Sequence, residues 1–191
     1  MKRNIFWLTA FICLTLQAAT VLAQPTVLIT YYSKTGNTKQ MAEAVARGAQ
    51  SIQGVEVIVK PVGETTPQDL LNAGAIIVGS PVYNANVAPA VQEFISSWPF
   101  EGAPLKGKLG AAFVTAGGIS AGEEVTMLNI LKSMLIFGMI VMGGDDWGAA
   151  FGASAISGEP PFTPGESLHP AFLTKAEKLG QRVASVLLQM Q

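Results

Sequence analysis

The sequence predicts a three-layer α/β domain: a parallel five-stranded sheet wound in the order 2-1-3-4-5, with helices on both faces. Three observations predict it. Short apolar runs alternate with segments of helical period along most of the chain. The run 75–79, Ala-Ile-Ile-Val-Gly, is apolar at successive positions, as a strand covered on both faces must be. The chain also shows no internal repeat and no low-complexity tract, so one domain accounts for its length of 191 residues.

Residues 1–23 stand apart from that domain. Lys2 and Arg3 form a short basic region, residues 5–16 are almost wholly apolar, and Val21-Leu22-Ala23 puts small or modest side chains at the −3 and −1 positions of a cleavage site. This is the pattern of a secretory leader cut after Ala23, which places the remaining domain, 24–191, outside the cytoplasm, in the periplasm. An uncleaved anchor is the first alternative, but the strongly apolar part is shorter than the roughly 20 residues a spanning helix needs, and Gln17 and Thr20 interrupt its continuation. A lipid attached at Cys13 is the second, opposed by the bulk of Ile12 before it.

Cleavage has chemical consequences. Cys13 is the only cysteine, so the exported domain has no disulfide, thiol nucleophile or thiolate metal site. Lys2 and Arg3 leave with the leader, which moves the net charge from −1 to −3. That mild acidity, with no basic run, argues against a nucleic-acid partner. No later stretch is apolar for long enough to span a membrane, and monomer and dimer both stay open.

The elements follow in order. Residues 27–32 read as a buried strand, and 38–52 as a helix with Met41, Val45, Ala49 and Ile52 on one face. Residues 55–60 alternate as a strand, 67–72 form a short helix with Pro67 in its first turn, and 75–79 form the central strand. Segment 88–98 carries Val91, Phe94, Ile95 and Trp98 at i, i+3, i+4 and i+7. Residues 109–114 are a strand, 123–137 a helix with Leu128, Leu131 and Leu135 on one face, and 139–142 the last strand. Residues 157–169, rich in Gly, Pro and Ser, are a long loop. Residues 170–188 close the chain as a helix with Phe172, Ala176, Leu179, Val183 and Leu187 buried.

In open parallel sheets, ligands sit beyond the carboxyl ends of the strands, where strand order reverses. The loop after the first strand is Ser33-Lys34-Thr35-Gly36-Asn37-Thr38. It joins three hydroxyls, those of Ser33, Thr35 and Thr38, and a glycine to a helix N-terminus; the backbone N–H groups and the helix dipole favour an anion there, and all three hydroxyls are expected to donate to phosphate oxygens. It has neither the Walker pattern nor the spacing of a dinucleotide fingerprint. The loop after the third strand is Gly79-Ser80-Pro81-Val82-Tyr83-Asn84-Ala85-Asn86-Val87. The loop after the fourth, Thr115-Ala116-Gly117-Gly118-Ile119-Ser120-Ala121-Gly122, is rich in glycine.

The first loop resembles the phosphate loop of the flavodoxin family, Thr/Ser-x-Thr-Gly-x-Thr, at every defined position: Ser33, Thr35, Gly36 and Thr38. The third is similar to the Ser-x-Gly-x-x-x-Gly-Gly-x-Glu segment of the WrbA-like NAD(P)H:quinone oxidoreductases. Thr115, Gly117, Gly122 and Glu124 fall in register, and Ala121 replaces one glycine. Residues 151–156, Phe-Gly-Ala-Ser-Ala-Ile, resemble that family's Tyr-Gly-Ala-Thr-Thr-Ile. The resemblance implies non-covalent FMN, its phosphate on the first loop and its ring along the second and third, with Tyr83 packed on the ring or anchoring its own loop. It also implies NAD(P)H and a quinone as reactants. One departure is clear. The family's longer stretch before the 151–156 segment takes part in its tetramer, and here only residues 143–150 fill that place.

Other residues carry less chemistry. His169, the only histidine, precedes Pro170 where the last helix begins, which suits a structural role. Glu123 and Glu124 suit the first turn of a helix. Asp145 and Asp146 are adjacent and diverge, and Trp147 either shields the ring or packs on the protein. The leading expectation is therefore an FMN-dependent NAD(P)H:quinone oxidoreductase. An exported electron carrier that docks on a redox partner protein at the cell envelope is the alternative, because nicotinamide cofactors are not expected in quantity there. A flavin-free binding module is the third reading.

Overall fold

The computed structural model describes residues 24–162 and 167–191. Residues 1–23, where the sequence leads one to expect a leader, and part of the long loop 157–169 lie outside the described residues.

Strand β1 (Thr26–Tyr31) leads into helix α1 (Asn37–Gln50), and β2 (Glu56–Pro61) follows. A short helical turn and α2 (Pro67–Asn72) lead to β3 (Ala73–Tyr83), whose end folds back on β4 (Asn86–Val87). Then come α3 (Pro89–Ser96), β5 (Leu109–Ala116), α4 (Glu123–Ile136), β6 (Ile140–Val141), β7 (Ala153–Ile156) and α5 (Pro170–Gln189). The sheet runs β2-β1-β3-β5-β6, and all these neighbours are parallel. This is the expected winding, with the strand order reversing between β1 and β3.

The fifth position differs in detail from the sequence reading. Two short strands fill it in line. β6 pairs with Leu109 and Gly110 at the start of β5, and β7 pairs with Phe113 to Ala116 at its end. The segment between them leaves the sheet and returns. Its carbonyls and acids are held by α5, with Arg182 donating to the Gly144 carbonyl and Lys178 within 3.2 Å of Asp145 and 4.0 Å of Asp146. Trp147 lies in this segment and is 93 % exposed, so it packs on nothing there.

Alternate residues of each strand feed two cores. Val27, Ile29, Ile77 and Phe113 meet Met41 and Val45 of α1 and Leu179 and Val183 of α5. Leu28, Ile76, Val78 and Val114 meet Val91 and Phe94 of α3 and Ile130 and Met134 of α4. Full burial of each large aliphatic or aromatic side chain contributes roughly 1.5–3 kcal/mol.

Helix α4 corrects the expected stripe. Met127, Ile130, Leu131 and Met134 are buried, whereas Leu135 is exposed and Leu128 half-buried. Leucines, methionines and isoleucines cover a wide part of the helix circumference, so two neighbouring stripes compete, and packing against the sheet chooses between them. At the start of α5, the His169 ring nitrogen Nδ1 accepts from the Ala171 N–H at 3.3 Å, which makes this histidine a helix cap.

Candidate functional site

Three loops leave the carboxyl ends of β1, β3 and β5 side by side. The first is organised by Ser33. Its Oγ accepts from the Gly36 N–H at 3.1 Å and the Lys39 N–H at 3.2 Å, so a residue four positions before α1 caps that helix. Gly36 takes φ 95°, a left-handed conformation that glycine adopts without a Cβ penalty. The backbone N–H groups of Lys34, Thr35, Asn37 and Thr38 take no partner among the described residues. Lys34 and Thr35 are exposed.

Thr38 is placed differently from the other hydroxyls of this loop. It is buried, and its Oγ1 shares a 2.8 Å hydrogen bond with Thr115 Oγ1. Its hydroxyl therefore joins the first loop to the end of β5. At the end of β1, burial pushes the Tyr31 phenol above its ordinary range, and Glu43 and Glu64 add in the same direction. Tyr31 thus stays neutral at physiological pH.

The second loop is a two-residue hairpin. Val82 pairs with Val87 and Tyr83 with Asn86, while Asn84 and Ala85 turn the chain at φ 52° and 57°. Positive φ at both central residues is the geometry of the tight hairpin turn that matches strand twist. Ser80, fully buried, anchors the base: its Oγ accepts from the Ala88 N–H at 2.9 Å and donates to the Pro81 carbonyl at 2.7 Å. Asn86 Oδ1 accepts from the Val87 N–H and from Asn129 Nδ2 of α4. Asn86 thus orients the loop. Pro81 and Val82 are half-buried and Tyr83 is 37 % exposed, so its ring keeps a free face.

The third loop touches both neighbours. A Cβ on Gly122 would lie 2.5 Å from the Ala85 Cβ, so the second and third loops meet there at the closest approach two backbones allow. A Cβ on Gly118 would lie 2.8 Å from Glu159 Oε2. Gly117 is different: a Cβ there would meet no atom within 4 Å. Ala116 is buried at the strand end, and its carbonyl accepts from the Ser157 N–H at 2.9 Å. Glu123 and Glu124 occupy the first turn of α4, where Glu123 Oε1 accepts from the Ser120 N–H at 3.1 Å.

An open parallel sheet with three interlocked loops at its switch point defines the flavodoxin-like class of ligand-binding α/β proteins. The comparisons with known proteins refine that class. Residues 59–154 match the family model described as NADPH-dependent FMN reductase. A flavodoxin of Aquifex aeolicus (strain VF5) is 38 % identical over 143 residues, which cover 70 % of this chain and 75 % of that one. An NAD(P)H dehydrogenase (quinone) of Geotalea uraniireducens (strain Rf4) is 32 % identical over 205 aligned positions, covering 86 % of this chain and 98 % of that one. Among solved structures, a WrbA-like flavodoxin from Agrobacterium tumefaciens superposes with a TM-score of 0.71 at 23 % identity, covering 87 % of this chain and 99 % of that one. The chain belongs to the NADPH-dependent FMN reductase family and is an FMN-binding oxidoreductase with the flavodoxin-like fold.

The structure therefore brings together every loop the sequence singled out. It adds Asn129 and Glu159, which sequence reasoning missed, and it gives roles to Ser80 and Ala85, which the sequence placed in the second loop without one. None of these roles lies in a local pattern. Each acts through a partner distant in sequence, apart from Ser80, whose role depends on the hairpin turning back above it.

Proposed function

We propose that the three loops hold FMN non-covalently and that the protein is an NAD(P)H:quinone oxidoreductase acting outside the cytoplasm. The observation that carries the proposal is that the N–H groups of Lys34, Thr35, Asn37 and Thr38, at the head of a 14-residue helix, take no partner among the described residues. Such a group of donors, aided by the helix dipole, suits a phosphate monoester. The Thr35 hydroxyl and the outward side of Ser33 add donors. The free face of Tyr83 and the open side of Gly117 leave room for a flat ring beside the second and third loops.

Bound FMN supplies hydride and single-electron transfer through its ring. This chain's residues bind and orient it. Pro81, Val82 and Asn84 set the course of the second loop, Thr115 and Ala116 fix where the third begins, and Gly118 and Gly122 let that loop lie against its neighbours. The quinone as acceptor is supported by the relative from Geotalea, whose whole length the alignment nearly covers.

An electron-carrier reading has its own support, since a flavodoxin is among the relatives at 38 % identity. One series of measurements separates the two. FMN is titrated into the purified protein, and then NADH and NADPH oxidation is followed with and without a quinone. Catalytic turnover with quinone supports the enzyme. Saturable binding near one FMN per chain, with negligible turnover, supports the carrier. A folded protein that binds no FMN defeats both. We also propose that residues 1–23 direct export. Terminal sequencing of the protein from a periplasmic fraction should begin at Gln24, and a terminus at Met1 would overturn the cleavage.

A further inference from the structure

The glycines of the third loop do not all serve the same purpose. Gly117 opens onto free space, but Gly118 lacks a side chain where the carboxylate of Glu159 already sits. That carboxylate accepts from the Ile119 N–H through the same Oε2. Around this contact, the segment after β7 lies along the loop. The Ser157 N–H and Oγ both donate to the Ala116 carbonyl, and a Cβ on Gly158 would lie 2.7 Å from the Gly117 carbonyl. Three successive residues, Ser157, Gly158 and Glu159, thus brace Ala116, Gly117 and the Gly118–Ile119 peptide in turn.

We infer that Glu159 is a positioning residue for the flavin ring and a fixed negative charge beside it. This rests on the proposed FMN site. The Glu159 carboxylate fixes the Gly118–Ile119 peptide, and through it Gly117, whose open side the proposed site uses for the ring. A glutamine at 159 keeps an acceptor oxygen for the Ile119 N–H, whereas alanine removes it; the two variants therefore separate geometry from charge. A charge held near the flavin opposes reduction when the reduced ring is anionic, so it acts on reduced FMN more than on oxidised FMN.

The test is a set of FMN titrations, with oxidised FMN aerobically and with reduced FMN anaerobically, on wild type, Glu159→Gln and Glu159→Ala. Amide exchange of residues 117–120 is measured in parallel. Glu159→Gln should bind oxidised FMN as wild type does and bind reduced FMN about 5-fold more tightly, raising the potential of the bound flavin. Glu159→Ala should also lose exchange protection at Ile119 and bind oxidised FMN about 10-fold more weakly. Unchanged binding of both forms by both variants, with wild type binding normally, would overturn the role of Glu159 and leave the FMN site standing. Absence of binding by folded wild type would remove the FMN reading and this inference with it.

Discussion

Thr38 at the start of α1 and Thr115 at the end of β5 share a buried 2.8 Å hydrogen bond between their hydroxyls, 77 residues apart in sequence. The bond fixes the head of the first helix, and so the first loop, to the strand from which the third loop departs. Thr38→Val keeps the shape and removes one partner, leaving a buried hydroxyl unpaired on Thr115. Such a group costs about 1–3 kcal/mol. Chemical denaturation of the flavin-free protein should show that loss. Thr38→Val with Thr115→Val should recover part of it, because both polar groups are then gone. Equal stability of wild type and the single variant would show that the pair contributes nothing.

Thr35 is the counterpart. It is exposed, and its hydroxyl makes no hydrogen bond among the described residues. Thr35→Ala should therefore leave the stability of the flavin-free protein within about 0.5 kcal/mol of wild type. If the proposed phosphate contact is made, FMN affinity should fall about 10- to 100-fold, since a hydrogen bond to a charged group contributes about 1.5–3 kcal/mol. An unchanged dissociation constant would remove Thr35 from the site.

The contrast between these two threonines shows what a sequence can carry. The motif 33–38 stands directly after a strand, and its placement was legible because strand and helix periods are local. That Thr38 turns inward while Thr35 stays out was not, because it depends on Thr115, far along the chain. The same limit hid Glu159, which meets Ile119 only when β7 docks on β5. Strand β7 itself escaped notice because Ala153-Ser154-Ala155-Ile156 is too short and too poor in β-branched residues to announce a strand. Its register is given by β5. Ala85 is a further case: alanine at φ 57° breaks the local rule for a tight hairpin, and the contact with Gly122 accompanies the exception.

Asp69 ties stability to pH. Its carboxylate lies 2.8 Å and 2.9 Å from Lys60 Nζ and accepts from the Thr66 N–H at 2.8 Å within the capping box of α2. The Lys60 hydrogen bonds first, and the Thr66 backbone second, hold its pKa down at about 2, against an ordinary 3.8. A carboxylate with a lowered folded pKa contributes stability above its unfolded pKa and loses it as pH falls through the folded one. The contribution should therefore be complete above about pH 4 and disappear towards pH 2. Lys60 is 34 % exposed, so solvent screening limits the contribution to about 1 kcal/mol. Denaturation of wild type and Asp69→Asn at pH 6 and pH 2.5 checks this: the gap between them should narrow at the lower pH, and a constant gap would assign it to the cap rather than the charge.

The helices behind the first loop offer the last test. A Cβ on Gly48 of α1 would lie 1.8 Å from the Glu177 carbonyl of α5, and one on Gly180 of α5 would lie 1.9 Å from the Val45 carbonyl of α1. The two glycines let each backbone press into the other, and α1 carries the proposed phosphate loop at its head. Alanine at a helix interior normally gains about 1 kcal/mol over glycine. At Gly180 the contact is with backbone, which cannot rotate away, so Gly180→Ala should instead lower stability by about 1–3 kcal/mol. By moving α1 against β5, it should also strain the Thr38–Thr115 bond and weaken FMN binding, although position 180 lies far along the chain from any of the three loops. Gln181→Ala, next to it and exposed, serves as the control and should change neither. A Gly180→Ala protein more stable than wild type would mean that the helices tolerate a wider spacing, and normal FMN binding by a destabilised variant would show that the spacing does not reach the loop.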